Sequence, residues 1–259
     1  MTVNVYIGDI SRLQKDENRL SEIFNELSVY RQEKALKLKT NSGRALSLGA
    51  GYLLKLALAK FKIKENNAEY GFSENGKPYL LGYPEIRFNL SHSHERVMCV
   101  CAKGDIELGC DVEMVRNERL KVAKRFFTEY ENRLLDECAT DKDRDALFFE
   151  LWTLKESYIK CTGEGLARSM DSFEFSRYRG RYRMKYVRNN NISETVSFDE
   201  KSDFNRFKFK IFDANMLNTI SAQSADNSEF IDYKYALCYK TGYRYMLKNS
   251  DFKINPVTL

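Results

Sequence analysis

The stretch from Leu147 to Gly165, LFFELWTLKESYIKCTGEG, narrows what this chain can fold into more than any other. Leu147, Leu151, Leu154 and Tyr158 fall on one stripe at helical spacing, the pattern of a helix docked on a core. Trp152, Glu156 and Lys160 recur every four residues on a neighbouring face, so they line one edge of the same helix. Gly163 and Gly165 follow, where a left-handed cap can end the helix and let other backbone pass close. Taken alone, a Glu-to-Lys pair at this spacing is a common solvated feature that contributes only about 0.2–0.5 kcal/mol.

A second stretch, Ile106–Val115, changes that balance. Leu108, Cys110, Val112 and Met114 alternate with Gly109, Asp111 and Glu113, the period of a strand. Asp111 and Glu113 therefore share a face, and two adjacent carboxylates repel unless something positive sits between them. Hard oxygen donors of this kind suit Mg²⁺, and Glu156 from the helix would complete a half-shell of three carboxylates. An Asp-x-Glu on a solvated strand face would look the same, so the pair is weak evidence without the helix.

GCDVE followed by WTLKESYIK closely resembles the two signature motifs of the 4'-phosphopantetheinyl transferases. RFFTEYE between them, FNLSHS upstream and GEGL downstream fit the same family in order and separation, from about residue 76 to residue 166. The resemblance is to the larger, two-lobed surfactin-synthetase-activating type. It implies an α+β fold of two similar lobes, each with an antiparallel sheet and a long packed helix. Residues 1–105 would form the first lobe and 106–259 the second, with the active site in the cleft between them. The implied reaction moves the 4'-phosphopantetheine arm of coenzyme A to a serine of an apo acyl, peptidyl or aryl carrier protein, releasing 3',5'-ADP. Such enzymes serve nonribosomal peptide or polyketide biosynthesis.

The same resemblance implies roles residue by residue. Asp111, Glu113 and Glu156 would hold Mg²⁺, or Mn²⁺ in its place. Glu156, Lys160 and His92 would act in catalysis, the serine base being either Glu156 or a metal-bound hydroxide. Arg44, with Arg31 and Lys34, would meet the coenzyme A 3'-phosphate, and Lys77, Ser91, His92 and Lys155 would make further cofactor contacts. Glu131 matches a position where the family often carries a functional acid, although Thr128 and Glu131 also have the spacing of a helix capping box. His94 departs from the pattern, which favours a small residue there. Trp152 is expected to pack rather than react. The rival reading is a non-catalytic module that binds coenzyme A or a carrier protein, and the intact motif acids and lysines argue against it.

Composition excludes several other classes. With 259 residues, 43% hydrophobic and 31% charged, the chain can bury a full core. It has no apolar run long enough to span a membrane, and its polar opening lacks a signal peptide's apolar region, so a cytoplasmic protein with no membrane partner is expected. The net charge of +5 comes from dispersed residues and marks no nucleic-acid stripe. Two histidines make zinc hydrolase chemistry a poor fit, and six cysteines without a C-x-x-C pair read as reduced, mostly packed thiols. The resemblance implies a monomer with internal pseudo-two-fold symmetry.

Along the chain, residues 2–10 read as a strand, 16–38 as helix broken near Ser28, and 42–61 as a long apolar helix containing small residues. Asn75-Gly76 marks a tight turn and 97–102 a buried strand. After Ser169, the runs 172–187, 206–216 and 230–241 alternate as half-exposed strands, and 247–259 shows little pattern.

Overall fold

The computed structural model describes residues 1–117, 120–178, 181–187, 207–212, 232–242 and 247–259. In order, the chain forms β1 (Val3–Asp9), α1 (Glu17–Glu26), α2 (Val29–Leu36), α3 (Asn41–Ala59), β2 (Tyr70–Phe72), β3 (Pro78–Leu80), β4 (Ile86–Ser93), β5 (Arg96–Lys103) and β6 (Ile106–Met114). There follow α4 (Leu120–Phe126), α5 (Glu129–Asp136), α6 (Asp141–Thr162), β7 (Phe173–Tyr178), β8 (Arg181–Tyr186), β9 (Phe207–Phe212), β10 (Tyr233–Thr241) and β11 (Phe252–Thr258). Residues 179–180, 206, 213–216 and 230–231 of the expected strand runs lie outside the described residues.

Strands β11, β1, β5 and β4 make one sheet, and β6, β10 and β9 make a second. All their pairings are antiparallel except β1 with β11, which is parallel. The layers run helix, sheet, sheet, helix. Period-two alternation sends Val3, Val5 and Ile7 of β1, with Met98 and Val100 of β5, into a core shared with Leu108, Cys110 and Val112 of β6. The opposite face of the first sheet, with Tyr6, Cys99 and Cys101, packs on α3. The second sheet turns Ala236 and Cys238 toward α6, where Leu151, Leu154 and Tyr158 meet them. Sheets covered on both faces explain apolar runs such as VMCVCA. All six cysteines are free, five of them buried, and burial pushes the Cys110 thiol up to about 12.

The two lobes repeat one design a hundred residues apart. Ser28 and Thr128 stand at the N-termini of α2 and α5, and the side chains of Thr40 and Thr140 cap α3 and α6. Gln32 donates to the carbonyls of Phe24 and Leu27, and Asn132 to those of Ala123 and Phe127. Arg44 Nε reaches Leu38 O at 3.0 Å, and Arg144 Nε reaches Leu135 O at 3.2 Å. Arg31 and Glu131 occupy the same place in the repeat with opposite charge.

The last segment differs from the sequence reading, whereas the break expected near Ser28 is present. Residues 252–258 form a strand that adds to the edge of the first sheet, although they come from the end of the chain. Pro256 fits there because an edge strand has one side that needs no ladder bonds. The break near Ser28 is sharp: Ser28 N and Oγ both donate to Glu65, at 2.8 Å each, so a distant carboxylate satisfies the start of α2.

Candidate active site

The site is built where β6, an edge strand of the second sheet, lies beside β4, an edge strand of the first. No backbone ladder joins them; side chains of β4 take its place. Asn89 Oδ1 accepts from Cys110 N at 2.9 Å, Ser91 Oγ from Val112 N at 3.3 Å and Ser93 Oγ from Met114 N at 3.3 Å. These are the amides that β6 directs away from β10, and each needs a partner once buried. The Asn-x-Ser-x-Ser run within FNLSHS therefore closes the seam between the lobes.

The odd-numbered residues of β6 face α6. At Gly109 the strand touches the helix backbone, with no room for a side chain between them. One step on, Lys160 Nζ lies 2.6 Å from Asp111 Oδ1 and 3.1 Å from Ser91 Oγ. Ser91 Oγ donates to the same Asp111 oxygen at 2.7 Å, and Ser93 Oγ donates to Glu113 Oε2 at 2.7 Å. Asp111 is 3% exposed, and its second oxygen, Oδ2, is buried with no hydrogen-bond partner. A buried carboxylate oxygen without a partner is costly, which marks the position as one that a ligand completes.

The electrostatics agree. Burial pushes the Glu156 carboxyl above the usual carboxylate range, and Asp111 and Glu113 add to it against Lys160. Burial likewise raises Glu113, with Asp111 next in weight and the Ser93 hydrogen bond opposing. Burial draws the Lys160 ammonium down, but Asp111 and Glu156 more than offset this, so its net shift is upward. Two glutamates raised in part by the charge of Asp111, beside a single ammonium, form a set that a divalent cation would relieve. Among the described residues, however, no three His, Cys, Asp or Glu side chains stand close enough to hold a metal ion by themselves. The expected half-shell is not closed: Lys160 occupies one oxygen of Asp111.

Basic groups border the carboxylates. His92 is exposed at the surface, yet desolvation holds its imidazole below the ordinary range, and the positive charges of Lys160 and Lys34 lower it further. Lys34 is itself lowered by desolvation and by Arg31. Arg31 is 3% exposed, stacked near Tyr30 and Tyr70, with Nε and one terminal nitrogen lacking hydrogen-bond partners. Lys160, Lys34 and Arg31 thus make a positive field next to the acids, and it disfavours the charged form of the His92 imidazole beside it.

Four sequence-predicted residues stand apart. Lys155 is fully buried on the core side of α6, where Nζ meets Glu131 Oε2 at 2.8 Å, Met170 O at 2.7 Å and Phe173 O at 2.5 Å. Those acceptors match its three donors, leaving none for a ligand in this arrangement. Glu131 forms the capping box with Thr128 and also accepts from Phe175 N at 2.9 Å, a structural use of both oxygens. Lys77 bridges Cys161 O at 2.8 Å and Glu107 Oε2 at 3.2 Å, tying the β2–β3 hairpin to the end of α6. Arg44 lines a groove of about 330 Å³ with Leu13, Phe24 and Leu48, and its Nε is held by Leu38 O. Trp152 packs against Phe126, Phe127 and Phe148, as expected. The FNLSHS run was legible as a motif, but the part Asn89 and Ser93 play in holding β6 was not, although their two-residue spacing around Ser91 was the available signal.

Comparison with known proteins follows the same lines. Residues 107–211 match the model of the 4'-phosphopantetheinyl transferase superfamily. The chain is 34% identical over 166 residues to 4'-phosphopantetheinyl transferase Sfp of Bacillus subtilis strain 168, covering 62% of this chain and 70% of that protein. A second 4'-phosphopantetheinyl transferase of Bacillus subtilis is 33% identical over 148 residues, covering 57% of this chain and 65% of that protein, just under two thirds of its length. The crystal structure of Thermotoga maritima holo-[acyl-carrier-protein] synthase superposes over 52% of this chain and 62% of that one, at 22% identity and a TM-score of 0.34. With its signature acids and lysine gathered at the junction of two lobes, the chain belongs to the 4'-phosphopantetheinyl transferase superfamily.

Proposed function

We propose that this protein transfers the 4'-phosphopantetheine arm of coenzyme A to a serine of an apo carrier protein, as an enzyme of the surfactin-synthetase-activating type. The observation that carries the proposal is the grouping of Asp111, Glu113, Glu156 and Lys160 beside the positive charges of Lys34 and Arg31 and the imidazole of His92. Coenzyme A presents a pyrophosphate and a 3'-phosphate, and this field suits several phosphate charges at once. The donors also fit a hard divalent cation, because Asp111 Oδ2 is buried without a partner and the neighbouring acids are oxygen ligands. Asp111, Glu113 and Glu156 would hold Mg²⁺, which supplies charge neutralisation at the pyrophosphate when bound.

In the reaction, the carrier serine oxygen forms a bond to the phosphorus that bears the pantetheine arm. The bond from that phosphorus to the adenosine-side phosphate breaks, and 3',5'-ADP leaves with the electron pair. The serine proton passes to Glu156, a carboxylate that burial and the neighbouring Asp111 make more basic than usual. Lys160 and His92 steady charge on the phosphate oxygens, most strongly where water is excluded. The proposal gives Arg44, Lys77, Ser91 and Lys155 no required bond to reacting atoms.

Incubation with coenzyme A, Mg²⁺ and a panel of apo carrier proteins tests the proposal by intact mass. One or more carriers should gain the mass of the arm. Coenzyme A binding with no carrier modified across the panel would favour a binding module instead.

A further inference from the structure

The seam between the lobes does more than join them. Ser91 and Ser93 project from one strand and each makes two bonds to its neighbour: one accepted from a backbone amide of β6, one donated to a carboxylate on the same strand. Ser91 accepts from Val112 N and donates to Asp111; Ser93 accepts from Met114 N and donates to Glu113. The two steps run in register along both strands, and Asn89 on Cys110 N anchors the row one step earlier.

Valence fixes what these hydroxyls can do. A serine hydroxyl has one proton to donate and two lone pairs. The proton of Ser91 goes to Asp111, and its lone pairs face Val112 N and Lys160 Nζ. In this arrangement no proton of Ser91 is left for a phosphate oxygen. The proton of Ser93 is likewise committed to Glu113. Both serines are buried, so neither readily exchanges its partner for water.

We infer that Ser91 and Ser93 are positioning residues, which use the first lobe to aim the Asp111 and Glu113 carboxylates of the second at a shared divalent cation. This rests on the functional reading above only for the cation. The physical advantage is that a carboxylate on an extended strand has free χ torsions, whereas a hydroxyl anchored to the adjacent amide removes that freedom before the cation arrives. Residues that orient ligands in this way typically change metal affinity or activity by about 10–100-fold when removed.

The test uses the full-length protein and two measurements that need no turnover: Mg²⁺ titration by calorimetry, and amide hydrogen exchange at Val112 and Met114. S93A should bind Mg²⁺ about tenfold or more weakly and should speed exchange at Met114 while sparing Val112. S93T, which restores the hydroxyl on a β-branched side chain, should recover both. If S93A does not fold, S93C is read in its place, since a thiol is only a weak donor. Unchanged Mg²⁺ affinity in a folded S93A or S93C protein would overturn the inference, as would a folded S93T that restores neither measurement. A wild-type protein that binds no Mg²⁺ would also overturn it without touching family membership. A wild type that binds Mg²⁺ with these responses yet modifies no carrier would defeat the transferase reading and leave this inference standing.

Discussion

Gly109 and Ser157 meet backbone to backbone: a Cβ built on Gly109 would stand 2.1 Å from the carbonyl oxygen of Ser157. The same atom would lie 2.2 Å from Cys161 N, so the contact seats β6 directly on the last turns of α6. This closeness lets Asp111, two residues along the strand, reach Lys160 from the helix. Neither partner at Gly109 is a side chain that could move aside.

Substituting Gly109 by Ala should therefore act through distance rather than chemistry. The strand and helix must separate, and overpacking of this kind costs about 1–3 kcal/mol, with rigid backbone on both sides favouring the upper end. Urea unfolding of G109A should show that loss together with a large fall in carrier modification. Wild-type stability in G109A would mean that the strand and helix are not so tightly apposed.

Glu156→Gln keeps size and helix preference while removing charge. Loss of a proton acceptor or an oxygen ligand should slow carrier modification by about 10²-fold or more. Coenzyme A binding, which the proposed function assigns to the neighbouring cations, should persist in part. Single-turnover rates at saturating coenzyme A check this, and a near-wild-type rate would remove Glu156 from the chemistry.

Glu131 and Lys155 should behave as a buried structural pair. Both are fully buried, and breaking such a pair by removing one partner leaves an uncompensated charge, at a cost of about 3–5 kcal/mol. Lys155→Met and Glu131→Gln should each lower the unfolding midpoint markedly. The double substitution should cost less than the sum of the two, because they share one interaction. A folded K155M protein of normal stability but weakened coenzyme A binding would instead return Lys155 to the cofactor.

The raised carboxyls set a pH dependence whose sign follows from linkage. Glu113 and Glu156 bind protons more tightly in the folded state than in the unfolded chain, where a glutamate titrates near about 4.3. Between that value and the raised ones the native state holds more protons, so their contribution to stability falls as pH rises through the window. With a chelator present, wild type should lose stability relative to E113Q/E156Q from about pH 4 upward and level off above the raised values. Added Mg²⁺ should remove the difference. A pH-independent gap between the two proteins would show that the carboxyls are not raised.

The sequence by itself determined the elements whose cause is local. The apolar stripe of α6, its left-handed end at Gly163 (φ 74°), the capping box at Thr128 and the alternation of β6 all follow from side-chain period and backbone preference within a few residues. The family motifs likewise identified the strand and helix that carry the acids. The sequence did not determine which way adjoining helix residues point. Lys155 and Glu156 are neighbours in the chain, but a helix turns about 100° per residue, so one enters the core and the other lies near Asp111 and Glu113. Only the second sheet and α5 decide which face is which. The repeat across a hundred residues was similarly faint, because it survives as capping threonines and arginine-to-carbonyl bonds, with Arg31 and Glu131 exchanged in charge. The seam and the last strand were the least legible parts. Ser91 and Ser93 acquire their partners about twenty residues away in β6, and β11 finds β1 from the far end of the chain. Hydrogen bonds between distant segments leave no periodic trace in either one; their geometry exists only once the two lobes have packed.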